Sequence, residues 1–343
     1  MPVTRRTSHR PICRCRVALV GMLLIMTALV TRVGNARAQA ANNGALDLLA
    51  PIGARATALG TAFAAEEGSE AIWWNPAGIA RMTRAEFAID HFENFIEKGD
   101  AISVMAPVNR LGAFGLTARL FNYCTDCQGA DSAGNPTGNL YFRSNVLGAS
   151  FATTFGPRVN AGVTYRIYQW RVDCSGFCQG ALIGTSTTSA VDLGVQFRPF
   201  ATKPLRIGIE LRNAGPSLQV KDKPQADALP TRVHLGASYD PTYKGMAPEL
   251  KLRTTAELVS TTSLANPEFR LGAQLGYAAG NSVLAIRGGY VAQQSNGGES
   301  ATGPSLGLGL ASGRVQLDLA RIFESFSSGL GKPPTYISIR IGL

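Results

Sequence analysis

The sequence predicts an all-β chain: a transmembrane antiparallel β-barrel of about 14 strands, preceded by a short helical N-terminal plug segment. Three observations predict it. Runs of two-residue alternation between apolar and polar side chains recur from Arg84 to Leu343. After the first hairpin, the connections between these runs alternate short and long. The final run, Tyr336 to Leu343, is apolar at every odd position and aromatic, polar, charged or glycine at every even one. One side of such a strand suits lipid and the other a polar lumen.

Residues 1–38 read as a secretory signal peptide. Arg5, Arg6, Arg10, Arg14 and Arg16 form a basic start, and Val17–Val30 is an apolar run of 14 residues, short of the roughly 20 a spanning helix needs. Ala36-Arg37-Ala38 supplies the small-x-small cleavage pattern, with Ala38-Gln39-Ala40 as a second option. The formal net charge is +10, but residues 1–38 hold seven arginines and no acid, so the exported part carries only +3. A nucleic-acid partner is therefore not expected.

Residues 39–83 differ in character. Alanine and glycine dominate, and Pro51, Gly53, Gly60, Gly68, Pro76 and Gly78 punctuate the segment. Ala54–Ala65 is expected to form one short helix interrupted by Gly60, and Glu66–Ser69 a turn. Pro76 fits the first turn of a second helix capped by Asn75. Glu66, Glu67 and Glu70 read as a solvated turn, or else as partners for lumenal arginines. Trp73 and Trp74 are read first as packing the plug on the wall, and second as stacking on a ligand.

Residues 84–343 then form the barrel. The candidate strands are 84–92, 99–107, 110–121, 139–151, 158–173, 183–198, 203–213, 230–240, 248–260, 267–278, 282–294, 303–312, 313–324 and 334–343. An even count returns both barrel ends to one side of the membrane. The longer connections, 122–138, 174–182, 214–229, 295–302 and 325–333, belong outside the cell, and shorter ones such as Gly156-Pro157 and Ser312-Gly313 on the periplasmic side. Arg340 should point inward, since arginine on the lipid face costs about 2–4 kcal/mol at mid-depth. Phe87, Phe92, Tyr141, Phe142, Tyr165, Tyr168, Trp170, Tyr239, Tyr243, Tyr277 and Tyr290 read as interfacial girdles. The alternating glycines around Gly307 and Gly309 would thin one wall for a plug or loop to approach.

The close pairs Cys124 with Cys127 and Cys174 with Cys178 fall in two of the predicted outer loops. Export to an oxidising compartment makes them disulfide candidates ahead of a zinc site, with the pairing open. No metal and no cofactor is expected. Nor is the chain expected to be an enzyme: the exported part holds only His91 and His234, read as strand-end or interfacial residues. Asp90 and His91 are adjacent on a strand and so point to opposite faces.

Three regions resemble the PorV/PorQ family of outer-membrane proteins, relatives of the FadL barrels. The first is Gly53-Ala54-Arg55-Ala56 through Gly60 to Phe63, then Ala71 to Gly78 with its Trp73-Trp74-Asn75-Pro76-Ala77-Gly78 corner, where Trp73 stands for the usual tyrosine. The second is Leu211 to Pro216 followed by Leu229 to Gly236, and the third is Arg287 to Tyr290 with Gly307–Leu310 and the terminal strand. The chain ends in Leu343 where many barrels end in phenylalanine. The resemblance implies a FadL-like barrel in the outer membrane of a diderm bacterium, with Gly53, Arg55, Gly60, Trp73, Trp74, Asn75, Pro76 and Gly78 as its plug motif. It implies outer-membrane lipid and the barrel-assembly machinery as partners. It also implies a part in transport or protein export, of the kind associated with type IX secretion. The alternative is passive FadL-like transport of hydrophobic small molecules, gated by the N-terminal segment.

Overall fold

The computed structural model describes residues 44–343 except 94–96, 131–133, 179–182, 221–225, 244, 262–266, 294–302 and 324–332. The expected signal peptide lies outside the described residues. Fourteen strands form one closed antiparallel barrel: β1 Glu86–Glu93, β2 Glu97–Val108, β3 Gly112–Ala130, β4 Pro136–Phe155, β5 Val159–Gly176, β6 Gly184–Phe197, β7 Leu205–Ala214, β8 Arg232–Tyr239, β9 Leu250–Thr261, β10 Glu268–Ala279, β11 Ser282–Gln293, β12 Gly303–Ser312, β13 Val315–Ile322 and β14 Thr335–Gly342. Each strand pairs with its sequence neighbours, and β1 closes the ring on β14 with Ile89 opposite Ile339. Closure leaves no unpaired edge, the condition for strands to cross hydrocarbon.

The two faces separate cleanly. On β12, Leu306, Leu308 and Leu310 are exposed outward, while Ser305 is buried inward between Gly303 and Gly307. On β14, Ile337, Ile339 and Ile341 are exposed, and Tyr336, Ser338 and Arg340 are buried. An outer surface this apolar would be costly in water and is the natural partner of acyl chains. The fold is a transmembrane β-barrel.

The girdle expectation needs correction. Tyr165, Tyr239, Tyr277 and Tyr290 do lie on the exposed outer face. Phe92 and Tyr168 instead lie buried on the inner side, and Phe142 and Trp170 share the inward parity of their strands. Parity decides: Tyr165 and Tyr168 stand three apart on β5 and so face opposite ways.

A second correction concerns β3 and β4. The predicted loop 122–138 is mostly strand, because pairing continues to Ala130 opposite Pro136. A register shift between Tyr123 and Cys127 breaks the two-residue period, so the sequence pattern there reads as loop. Cys127 and the backbone of Cys124 therefore belong to a strand. Cys174 closes a disulfide with Cys178, from the end of β5 into the following connection. Cys127 is disulfide-bonded as well, and the side chain of Cys124 lies outside the described part of the structure.

The plug fills the barrel interior. Its one α-helix spans Ala54–Ala58 only, shorter than expected. Gly60 and Thr61 take left-handed backbone angles, φ 61° and 57°, which turn the chain out of the helix. Short 3-10 turns follow at Ser69–Trp73 and Pro76–Ile79. Asn75 caps the second, its side chain accepting from the Ala77 amide at 3.0 Å. The β7–β8 connection also bends inward, where Leu218 and Leu229 pack with Leu48, Val146 and Tyr168.

The outer face makes a testable claim. Leu308→Arg, mid-strand and outward, is expected to cost about 2–4 kcal/mol in urea unfolding from lipid vesicles. A change within about 0.5 kcal/mol, the scale of an ordinary surface substitution, would show that Leu308 does not meet lipid.

Candidate functional site

The plugged lumen is the candidate site, and glycine shapes it. Inward glycines on successive strands leave the wall bare where the plug touches it. A methyl group on Gly208 would stand 2.0 Å from the Ala64 carbonyl oxygen, and one on Gly194 would stand 1.9 Å from Asn75 Oδ1. Gly162 meets Pro76, Gly115 meets Ile72, Gly272 meets Leu59, Gly289 meets Gly60, and Gly307 meets Ala58, each closer than a Cβ could come. The expectation for Gly307 thus extends well beyond one strand. Behind Gly272 and Gly289, the outer face also carries small residues, Ala256, Ala273 and Gly288, which floor an outward cavity of about 720 Å³. The wall there is a single peptide layer thick.

Charge fixes what the glycines admit. Glu66 is fully buried, where an isolated carboxylate would cost several kcal/mol. Arg55 of the plug, Arg253 at 2.9 Å and Arg206 at 3.4 Å surround it, and the Ser238 hydroxyl donates to it at 2.6 Å. Glu67 accepts two bonds from Arg198, at 2.6 and 2.7 Å, and one from Asn160 on β5 at 3.2 Å. Glu70 accepts from Arg340 at 2.6 Å and from the Ala56 amide at 2.9 Å. Asp47 joins Arg119 at 2.5 Å, the Tyr168 hydroxyl at 2.8 Å, and Ser144. These acids hold the plug to seven different strands of the wall, and to Arg198 just past β6; they do not form a solvated turn.

The wall returns the arrangement. Glu257 on β9 accepts the Phe63 and Ala64 amides at 2.8 and 2.7 Å, and also faces His234 and Arg270. His234 is therefore a fully buried lumenal residue in mid-strand, which corrects its reading as interfacial. His91 does lie on the outward side, 2.7 Å from Asp100, while Asp90 is buried inward with Ser338. Arg340 points inward as expected, between Glu70, Asp90 and Asp318.

The eight plug-motif residues come together. Gly53 leads into the helix at φ 90°, where a Cβ would overlap the Glu70 carboxylate. Arg55 lies over the Phe63 ring at 5.0 Å besides pairing with Glu66. Trp74 donates to the Ile52 carbonyl at 3.0 Å, and the Arg212 guanidinium sits 5.1 Å from its ring centre. The Trp73 carbonyl accepts from Arg212 at 2.9 Å. Both tryptophans are buried, so they serve as packing groups in this state. Asn75 donates to the Ala64 carbonyl at 2.7 Å, and Gly78 leaves room for Ala71 and the Glu66 carbonyl. The wall partners Arg206, Arg253, Glu257 and Ser338 were not singled out from sequence. Their inward parity was legible; their partners, far away in the chain, were not.

Two cavities adjoin the plug. One of about 170 Å³ is lined by Leu49, Pro51, Trp74, Val291 and Ile322, with Arg232, Glu268 and Arg270 along one side. The other, about 260 Å³, lies toward the short turns, with Arg55, Arg253, Arg287 and Asp318 among its lining.

The fold is similar to solved outer-membrane barrels of the FadL type. The P. putida toluene transporter TodX superposes with a TM-score of 0.56 at 10% identity, over 85% of this chain and 98% of that one. The Ralstonia pickettii toluene transporter TbuX gives 0.54 at 12% identity, over 85% and 98%. A Pseudomonas aeruginosa FadL homologue gives 0.52 at 9% identity, over 85% and 98%. At such identities the likeness is one of fold. No protein-family model matches the chain, and no curated protein is similar to it in sequence.

The plug should respond to pH at both ends of the range. Burial alone would raise Glu66, but Arg55, Arg253 and Arg206 outweigh it and bring the carboxyl from 4.5 down to about 2. Ionised Glu66 thus stabilises the seated plug fully above about pH 4.5, and that contribution is lost as pH falls through about 2. Burial pushes Glu70 from 4.5 up to about 7, opposed by Arg340 and helped by Asp90 and Asp318. Seating therefore weakens as pH rises from about 4.5 to about 7. Protease nicking within residues 44–83 is expected to be slowest near pH 4.5 and faster on either side, with Glu70→Gln flattening the neutral limb. A flat profile in the unaltered protein would contradict this. Glu66→Ala, which takes the carboxylate partner from Arg55 and leaves Arg206 and Arg253 with Asp240 alone, is expected to cost about 3–5 kcal/mol in chemical unfolding. A loss of under about 1 kcal/mol would mean the cluster is solvated.

Proposed function

We propose that this chain is an integral outer-membrane protein that passes small hydrophobic molecules through a lumen gated by residues 44–83. The observation that supports it most is the mode of attachment of the plug. It touches the wall through side chains and glycine contacts, forms no strand of the barrel, and borders a cavity of about 170 Å³ where Leu49, Pro51, Trp74, Val291 and Ile322 face Arg232, Glu268 and Arg270. Such a segment can shift without breaking a β-ladder. That two of the structural neighbours are toluene transporters favours the same reading. The barrel performs no catalysis in this scheme. Residues 1–38 direct export and are removed, the barrel-assembly machinery inserts the chain, and the short turns face the periplasm.

A second reading, a PorV/PorQ-type barrel serving protein export, draws on a different observation. Strands β3, β4 and β5 run to 19, 20 and 18 residues, well beyond the 8 to 14 of the others, and end near the Cys174–Cys178 disulfide. About 9–11 residues cross a bilayer, so these strands rise beyond it and offer an outer surface for exported proteins.

Deleting residues 44–82 separates the two. Under the transport reading, the full chain in proteoliposomes admits a hydrophobic fluorescent probe saturably, and the deleted form admits it faster while keeping heat-modifiable gel mobility. An impermeable full chain, with secreted proteins lost from the medium of a deletion strain, would overturn transport in favour of export. Recovery in the aqueous fraction without detergent would overturn both.

A further inference from the structure

Three cations share one line around the outside of the barrel. Lys98 on β2 stands opposite Asn122 on β3, Asn122 opposite Arg143 on β4, and Arg143 opposite Arg171 on β5. All four are exposed. Lys98 has Glu93 opposite it on β1, so the unbalanced charge sits at the arginines. Arg143 and Arg171 form a like-charge pair directly across a ladder, an arrangement that is destabilising without an anion to share. The protein supplies one acid for the two. Asp173 accepts from Arg171 Nε at 2.8 Å but lies 3.9 Å from Arg143, beyond hydrogen-bond distance. Among the described residues, the Arg143 guanidinium and the Nη groups of Arg171 donate no hydrogen bond. Both side chains are half exposed, at 50% and 52%, so their donors are open to a ligand from outside.

The pair sits where the outer face changes character. Lower on the same strands Leu147 stands opposite Ile167, and with Leu120 and Tyr165 they make an exposed apolar surface. Asn145 and Gln169 come next, then Arg143 and Arg171, then Tyr141 and Asp173. The hydrocarbon edge therefore falls near Asn145 and Gln169. Two residues further along strands tilted by about 40° is a rise of about 5 Å, within a headgroup layer about 5–8 Å deep. Strand pairing continues from Arg143 and Arg171 to Gly138 and Gly176, so both arginines stand on fixed backbone and not on a loop.

We propose that Arg143 and Arg171 bind the phosphate of a membrane lipid, whose acyl chains lie along Leu147, Ile167 and Tyr165. Guanidinium groups meet phosphate oxygens in pairs, and a phosphate held between two arginines removes the repulsion between them. Apolar surface directly beneath the donors favours a phosphate that carries chains over a free one. The site rests on the reading of the barrel as a membrane protein and is independent of what crosses the lumen.

The test uses the full chain in non-ionic detergent, with native mass spectrometry to count lipid A retained per barrel. Dephosphorylated lipid A, with the same chains, is the comparison. Lipid A is expected to be retained at one per barrel and at least about tenfold more tightly than the dephosphorylated form. Arg143→Gln and Arg171→Gln should each weaken retention about three- to tenfold, and the double variant more. Arg171→Lys, which keeps the charge and loses the fork, should fall between. Arg158→Gln, on the short turn before β5, should change nothing. Equal retention of dephosphorylated lipid A, or unchanged retention in the double variant, would overturn the site. Displacement of lipid A by inorganic phosphate alone would also overturn it, since the arginines would then bind an anion without a lipid. Heat-modifiable gel mobility separates this claim from the one beneath it. An unaltered chain without it sinks the membrane-barrel reading, whereas intact barrels that do not prefer the phosphorylated lipid sink only the site.

Discussion

Glu66 sets the terms for the rest of the interior. A carboxylate removed from water inside a barrel must find cations there, and three arginines from three elements supply them. Arg206 and Arg253 are in turn shared with Asp240. Arg340, Arg287, Asp318, Asp90 and Glu70 form a comparable set across the lumen. Breaking one member of a buried set strands the others, which makes the arrangement cooperative. The barrel supplies a closed ladder of backbone bonds; the charge network determines what may sit inside it.

Steric design accompanies that electrostatic one. The plug backbone also approaches the wall closely, as at Gly208, where an added Cβ would stand 2.0 Å from the Ala64 carbonyl oxygen. Glycines at positions 115, 162, 194, 208, 272, 289 and 307 permit this approach by removing the side chain that would hold the plug away. In an ordinary strand such glycines weaken the sheet by exposing backbone and losing packing. Here plug atoms fill the space, so the plug stabilises the very wall that accommodates it.

Much of this was legible in the sequence where a local rule governs. β12 and β14 keep strict alternation, so their limits and faces follow from period alone. Asn75 and Pro76 announce a helical turn by cap chemistry that needs only neighbouring residues. The upper parts of β3 and β4 were hidden because a bulge at Tyr123–Cys127 shifts parity. The plug helix is short because Thr61 follows Gly60 into the left-handed region against the propensity of a β-branched residue. The ion pairs were hidden for a third reason: Glu70 and Arg340 are 270 positions apart, and nothing local ties them.

The junction of β1 with β14 joins the two ends of the barrel, and the plug is attached at that same junction. Ser338 on β14 accepts from the Ala54 amide of the plug at 2.8 Å and donates to Asp90 on β1 at 2.5 Å. Arg340 on the same strand holds Glu70. The last strand of the chain is therefore both the one that closes the ring and a seat for the segment within it. Closure without the plug would leave Arg340 and Ser338 short of partners, and a plug arriving after closure would have to pass charged side chains already paired. Ring closure and the seating of the plug thus draw on the same strand, so the seam of the barrel is also a seat of the segment inside it.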